Sequence, residues 1–218
     1  MIAQKDSFRH QGMRAQMIAV LRKKGIQDEQ VLQAMTEVPR HFFLDGAFDE
    51  WAYEDQAFSI GHGQTISQPY TVAFMTELLS VRKHDKILEI GTGSGYQAAV
   101  LAAMGGRVYT VERQDALYRK AKTLFASKQF GTVKVFLRDG NKGLPEYAPF
   151  NRIIVTAGAP DFPEALFEQL SAGGIMVVPV DSDGGQTMWR IFKNEDGSLT
   201  KEAHGFFRFV PFLPGLSK

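Results

Sequence analysis

From Arg9 to Lys24 apolar residues recur at helical spacing (Met13, Met17, Val20, Leu21), and Gly25 supplies a stop, which predicts an amphipathic helix. Asp28 is placed to cap a second helix carrying Val31, Leu32 and Met35, which Pro39 closes. Between Phe42 and Pro69 the period is lost in a long stretch rich in Gly, Gln, Asp and aromatics, and a loop of that length inside a compact domain is expected to be functional. Helical spacing returns over Thr71–Leu79. From Lys86 onward strand-like and helix-like patterns alternate: strands are expected at Lys86–Ile90, Arg107–Glu112, Val133–Leu137, Asn151–Thr156 and Ile175–Val180, with helices at Tyr96–Met104 and Pro163–Leu170. The Asn151–Thr156 run suits a central strand buried on both faces, and Gly105-Gly106 and Gly173-Gly174 read as turns. Beyond Val180 the pattern changes. Gln186–Lys193, a hairpin turn at Asn194–Gly197 and Leu199–Pro211 read as antiparallel strands. The sum is the α/β class: a doubly wound, mostly parallel, Rossmann-like sheet with antiparallel C-terminal strands and an N-terminal helical cap. One domain is expected over residues 1–218, with the cap at 1–50, a substrate loop at 51–70 and the α/β core at 71–218.

The first strand runs into Gly91-Thr92-Gly93-Ser94-Gly95, a turn with glycine at every second position. Backbone that turns sharply and lets a ligand approach closely does so where no Cβ intervenes. The spacing is G-x-G-x-G, and Tyr96 stands where a dinucleotide fingerprint wants its third glycine, so a pyrophosphate reader is disfavoured. An adenosine cofactor without phosphates, S-adenosyl-L-methionine, fits better. Glu112 ends the next strand about 20 positions on, where an acidic residue accepts from ribose hydroxyls. Asp139-Gly140 follows the third strand and brings another carboxylate to the same sheet edge, as does Glu89 in the first. For Asp139 alone a solvated Asp-Gly turn is an equal reading; the convergence favours a cofactor site.

The chain has 218 residues, 44% of them hydrophobic, which suits one domain with a substantial core. Its 25 basic and 24 acidic side chains give a net charge of +1, so nothing global points to nucleic acid or an anionic membrane. The absence of cysteine excludes disulfides, thiol nucleophiles and cysteine-based metal sites, and makes a reducing cytoplasm the expected location. Met1–Ser7 is polar, without a signal-peptide core, and no stretch approaches the roughly 18 apolar residues of a membrane span. A monomer is expected.

The run Ile60-Gly61-His62-Gly63-Gln64-Thr65-Ile66-Ser67-Gln68-Pro69, followed by Glu89–Ala99, closely resembles protein-L-isoaspartate O-methyltransferases. Val38–Phe42, Pro149–Thr156 and Phe209-Val210-Pro211 carry the same likeness, which spans roughly residues 9 to 213. The resemblance implies methyl transfer from S-adenosylmethionine to the α-carboxylate of an L-isoaspartyl residue in a damaged protein. The ester then closes to a succinimide, whose hydrolysis regenerates some normal aspartate. It implies Ser67 as the catalytic position, holding a carboxylate oxygen toward the methyl. It implies Glu89, Gly91, Thr92, Gly93, Gly95, Glu112, Asp139 and Gly140 at the cofactor, and Ile60, Gly61, His62, Gly63, Gln64 and Val210 along an extended peptide. The chain departs from the family pattern at Ser59, where proline is common, at Arg138, where glycine is common, and at Leu144, near a usual aromatic. Arg138 would put a bulky cation beside the adenine.

A carboxylate is an adequate nucleophile at neutral pH, so catalysis is expected from positioning and from water exclusion around two opposite charges. Ser67 has a second reading as the N-cap of the helix beginning near Pro69. The five histidines, His10, His41, His62, His84 and His204, show no spacing that suggests a shared metal, and only His62, inside the loop, invites a substrate role. Thr156-Ala157-Gly158-Ala159-Pro160 lacks the Asn/Asp-Pro-Pro-aromatic arrangement of base-modifying methyltransferases, which disfavours nucleic acid. Phe206, Phe207, Phe209 and Phe212 read as core before they read as base-stacking groups. A methyltransferase acting on another carboxylate, a binding module on the same fold and, more remotely, a nicotinamide dehydrogenase remain the alternatives.

Overall fold

The computed structural model describes residues 5–127 and 129–217, so the start of the polar Met1–Ser7 stretch lies outside the described residues. Helix α1 (Phe8–Lys23) begins at Ser7, whose hydroxyl takes the His10 N–H, and α2 (Glu29–Glu37) is capped by Asp28, which accepts from the Gln30 and Val31 amides. Met17 and Leu21 of α1 are buried, as are Val31, Leu32 and Met35 of α2, whereas Val20 faces solvent.

The stretch read as irregular contains more order than its pattern suggested. Two 3-10 turns, Arg40–Phe43 and Gly46–Trp51, precede an antiparallel hairpin of β1 (Phe58–Gly61) and β2 (Gln64–Ile66). Gly61 pairs with Gln64 across His62 and Gly63, and both loop residues have positive φ, 55° and 67°. That is the backbone of a type I′ turn, whose twist matches the flanking strands. His62 occupies a place usually given to Asn or Gly, which is why the hairpin does not announce itself in the sequence.

Helix α3 (Pro69–Leu79) leads to the sheet. Its strands are β3 (Lys86–Ile90), β4 (Arg107–Glu112), β5 (Val133–Leu137), β6 (Phe150–Val155), β7 (Leu170–Ser182), β8 (Gly185–Lys193) and β9 (Leu199–Phe207). Helices α4 (Tyr96–Ala103), α5 (Asp115–Ala126) and α6 (Glu164–Gln169) are the connections. The seven strands lie in the order β5-β4-β3-β6-β7-β8-β9, parallel through β7 and antiparallel for β8 and β9. Alternating side chains divide the core between the two faces: Ile87, Ile154 and Val177 pack with α1 to α4, while Leu88, Ile153 and Val178 pack on the other side with Leu166 and Phe212. Two expectations change. Gly173 and Gly174 lie inside β7 at a register shift, not at its end, and β9 stops at Phe207, after which residues 208–217 turn back over the sheet edge. The strand order reverses between β3 and β6, and in open α/β sheets that switch point is where ligands bind.

Candidate active site

A cleft open to solvent lies at the carboxyl ends of β3, β4 and β6. Its walls come from the glycine turn, from the segment joining β2 to α3 and from the tail after β9. The turn needs its glycines. Gly91 has φ +98°, and a Cβ there would lie 2.5 Å from Thr156 Oγ1; Gly95 has φ +89°, and a Cβ would lie 2.9 Å from the Phe125 ring. Thr156 Oγ1 itself is 2.7 Å from the Gly91 carbonyl oxygen and 3.0 Å from that of Ile90, pinning the end of β6 to the turn.

Glu112 lines the cleft at the end of β4. One of its carboxylate oxygens accepts the Gly93 N–H at 2.8 Å, and the other accepts the Arg113 and Gln114 amides, each at 2.9 Å. An anion is thereby fixed against the glycine turn, ready to accept further hydroxyl hydrogens. Thr92, Gly93, Gly91 and Gly140 line the same space. Gly140 is packed so closely that a Cβ would meet Ile90 at 2.5 Å and the Phe212 ring at 2.9 Å.

Two predicted carboxylates stand elsewhere. Glu89 is fully buried behind the turn, beside Thr110 in register, and neither carboxyl oxygen has a hydrogen-bond partner among the described residues. Burial pushes its carboxyl up to about 8; Thr110 opposes that shift, and the nearby charge of Glu112 adds to it. Asp139 does not open into the cleft. One oxygen accepts from the Asn141 backbone N–H at 3.0 Å and the other from Gly215 at 2.9 Å, tying the tail down. Burial would raise this carboxyl, but those hydrogen bonds prevail and hold it below the usual carboxylate range.

Ser67 lies half-buried in the lining of the same cleft as the glycine turn. It is not a helix cap: the N-cap of α3 is Gln68, with Pro69 at the first helical position. Of the expected peptide-contacting residues, Gln64 and Val210 line the cleft. Ile60 comes close, its Cδ1 3.6 Å from where a Gly93 Cβ would lie, whereas Gly61, His62 and Gly63 are exposed at the hairpin tip. The Val210 carbonyl accepts the Gly158 N–H at 2.9 Å, and Gln186 Oε1 accepts the Phe209 N–H at 2.9 Å, which hold the tail in place. Sequence reasoning missed Thr71 and Gln97 in the lining. For Thr71 and Gln97 no local signal existed, since both sit on helices whose periodicity marks them as ordinary core-side positions.

Arg138 does not crowd the cleft. It is exposed and paired with Glu146 at 3.3 Å, while Leu144 is fully buried in the core. The fold also gathers two histidines that sequence spacing kept apart. His10 and His41 stack with centroids 3.8 Å apart, and Asp6, His10 and His41 offer ligand atoms within 4.8 Å of one another. Most of these donors are engaged: Arg14 holds both Asp6 oxygens, Asp49 and Ser7 take the His10 ring nitrogens, and His41 Nδ1 lies 2.8 Å from the Tyr53 hydroxyl, which leaves His41 Nε2 buried without a partner among the described residues. They bind α1 to the segment after α2.

A family model described as protein-L-isoaspartate(D-aspartate) O-methyltransferase matches residues 12–216. Protein-L-isoaspartate O-methyltransferase of Flavobacterium psychrophilum is 52% identical over 209 residues, covering 96% of this chain and 98% of that one. The Hahella chejuensis protein of the same name is 49% identical over 204 residues, 93% of this chain and 96% of its own. A solved protein-L-isoaspartate O-methyltransferase superposes with a TM-score of 0.84 at 30% identity, covering 93% of this chain and 67% of that one. A Plasmodium falciparum structure, described as a putative member in complex with S-adenosyl-L-homocysteine, shares the fold with a TM-score of 0.81 at 24% identity, covering 92% of this chain and 98% of that one. The chain belongs to the protein-L-isoaspartate(D-aspartate) O-methyltransferase family.

Proposed function

We propose that this protein methylates the free α-carboxylate of L-isoaspartyl residues in damaged proteins, with S-adenosyl-L-methionine as donor. The observation that carries the reading is that Ser67, the Gly91–Ser94 part of the glycine turn and Glu112 line one cleft. The residues fit the donor: the glycine turn presents side-chain-free backbone to the cleft at Gly91 and Gly93, and Glu112, fixed by the Gly93 amide, ends the next strand at the sequence distance suited to a ribose-binding carboxylate. Gly91, Thr92, Gly93 and Gly95 would take its amino-acid end. Gly140 would face the adenosine, with Asp139 holding the tail behind it and Glu89 supporting the turn from below. When bound, the donor supplies an electrophilic methyl group on a sulfonium.

The protein's own part is positioning. A carboxylate needs no base, so no proton has to be moved at this site. The Ser67 hydroxyl would donate to one carboxylate oxygen and leave the other aimed across the cleft. Gln64 and Val210 would hold the peptide main chain on either side, and Ile60 would narrow the passage near Gly93. A site that grips backbone reads where the carboxylate lies along the chain more than which side chains flank it. Isoaspartate carries its free carboxylate one methylene nearer the main chain than aspartate does, so normal aspartate cannot reach the donor without leaving the cleft. The absence of cysteine supports a reducing cytoplasm. No described helix is long and apolar enough to cross a membrane.

The test is a methyl-transfer assay on isoaspartyl peptides with varied flanks and on their aspartyl twins. Methylation of the first set with essentially none of the second is expected; comparable rates on both would replace this reading with a methyltransferase for another carboxylate.

A further inference from the structure

We infer that Asp55 is a positioning residue for methyl transfer, holding Ser67 in the cleft wall by fastening the loop before the hairpin to the start of α3. The inference rests on Ser67 being the group that aligns the substrate carboxylate. Helix α3 begins without a side-chain cap of its own, because Gln68 at the N-cap makes no such hydrogen bond. The amide of Tyr70, one of the donors a helix start leaves unpaired, goes instead to Asp55 Oδ1 at 2.7 Å. The other carboxylate oxygen lies 2.5 Å from the Lys24 ammonium at the end of α1, and that ammonium stands 5.5 Å from the centre of the Tyr70 ring. The Asp55 side chain is only 12% exposed, so its charge-assisted bond from the Tyr70 amide is partly sheltered, while the Lys24 ammonium that pairs with it reaches solvent. One carboxylate thus joins α1, the loop and α3.

Ser67 sits between two fixed points. On one side Ile66 is buried at the end of β2; on the other is the first turn of α3, which Asp55 anchors. The loop that carries Asp55 is itself held by Arg40, which is fully buried, donates from Nε to the Ala52 carbonyl at 2.9 Å and stands 5.0 Å from the centre of the Tyr96 ring. Tyr96 lines the cleft next to the glycine turn, and so does Ala57, two residues after Asp55. The serine is therefore referenced to the cofactor side through Asp55, the loop and Arg40. A displacement of about 1 Å in such an aligning group can cost roughly 100-fold in rate. Without Asp55 the first turn of α3 has no side-chain acceptor, and its fraying moves Ser67.

The experiment is a double-mutant cycle read by steady-state methyl transfer to an isoaspartyl peptide, with Ser67→Ala, Asp55→Ala and the pair. Asp55→Ala is expected to lower kcat about tenfold while changing the KM for the donor less than about twofold. In the Ser67→Ala background the same substitution should change kcat by less than about twofold, because the group it positions is gone. Asp55→Asn, whose amide oxygen still accepts from Tyr70, should recover about half of the lost kcat or more. An equal loss in both backgrounds, or no loss from Asp55→Ala, overturns the inference. Unchanged kcat in Ser67→Ala alone refutes the serine's role instead, and removes the premise for Asp55 through a different variant. If Asp55→Ala fails to fold by circular dichroism, Asp55→Ser, too short to reach the Tyr70 amide, runs the same cycle.

Discussion

Replacing Glu89 by glutamine should remove a loss of stability that the parent suffers as pH rises. The Glu89 carboxyl is fully buried, without a hydrogen-bond partner among the described residues, and burial lifts it from 4.5 to about 8. A folded-state value above the unfolded one means that folding favours the proton. Stability from this group is complete below about 4.5, falls as pH rises, and is lost once pH passes about 8. Each pH unit within that window costs about 1.4 kcal/mol, so the span from 4.5 to 8 amounts to roughly 5 kcal/mol. Glutamine keeps the shape and cannot ionise. It adds a buried amide whose unmet hydrogen bonds cost about 1–3 kcal/mol, but that cost does not change with pH. The stability of Glu89→Gln relative to the parent should therefore climb by about 1.4 kcal/mol per unit between pH 5 and 8 and then level off. Urea unfolding of both proteins at pH 5, 6, 7, 8 and 9 measures the difference. A difference that stays flat across this range would refute the reasoning, because it would show that Glu89 titrates normally or that water reaches it.

Glu112→Ala should weaken S-adenosylhomocysteine binding about 10- to 150-fold, from the loss of roughly 1.5–3 kcal/mol of charge-assisted hydrogen bonds. It should also lower the melting temperature, since the Gly93, Arg113 and Gln114 amides lose their acceptor; calorimetric titration and a thermal scan separate the two effects. Ser67→Ala should reduce turnover about tenfold or more with almost no change in melting temperature, because the cap of α3 lies elsewhere and the usual loss of about 1 kcal/mol for a removed cap does not apply. Removing residues 208–218 should raise the peptide KM and also weaken the homocysteine analogue, since Phe212 and Leu213 line the cleft along with Val210; an effect on the peptide alone would mean that the tail serves only the substrate side.

Much of this protein is written locally. The strand at Arg107–Glu112 and the third at Val133–Leu137 begin and end where the β-rich runs say, because strand preference and the period of two act over a few neighbouring residues, even for the second of these at the sheet's edge. The glycine turn is equally legible, since positive φ and the lack of room for a Cβ are demands on single positions. The family likeness of the Gly-Gln-Thr-Ile-Ser-Gln-Pro run implies a substrate role for Ser67 from sequence alone. What the chain could not disclose depends on partners far away in sequence. Whether Ser67 caps a helix was settled by Asp55 reaching the Tyr70 amide from fifteen residues upstream. Whether Asp139 opens to the cleft was settled by Gly215, and whether Arg138 obstructs it by Glu146. The pairing of His10 with His41 crosses from one helix to the turn after the next. Hydrophobic period and turn preference act over a few residues and fix elements and their faces. The fate of a polar side chain is decided by which donors, acceptors and apolar neighbours the packed elements bring to it, and that exists only once the chain has folded.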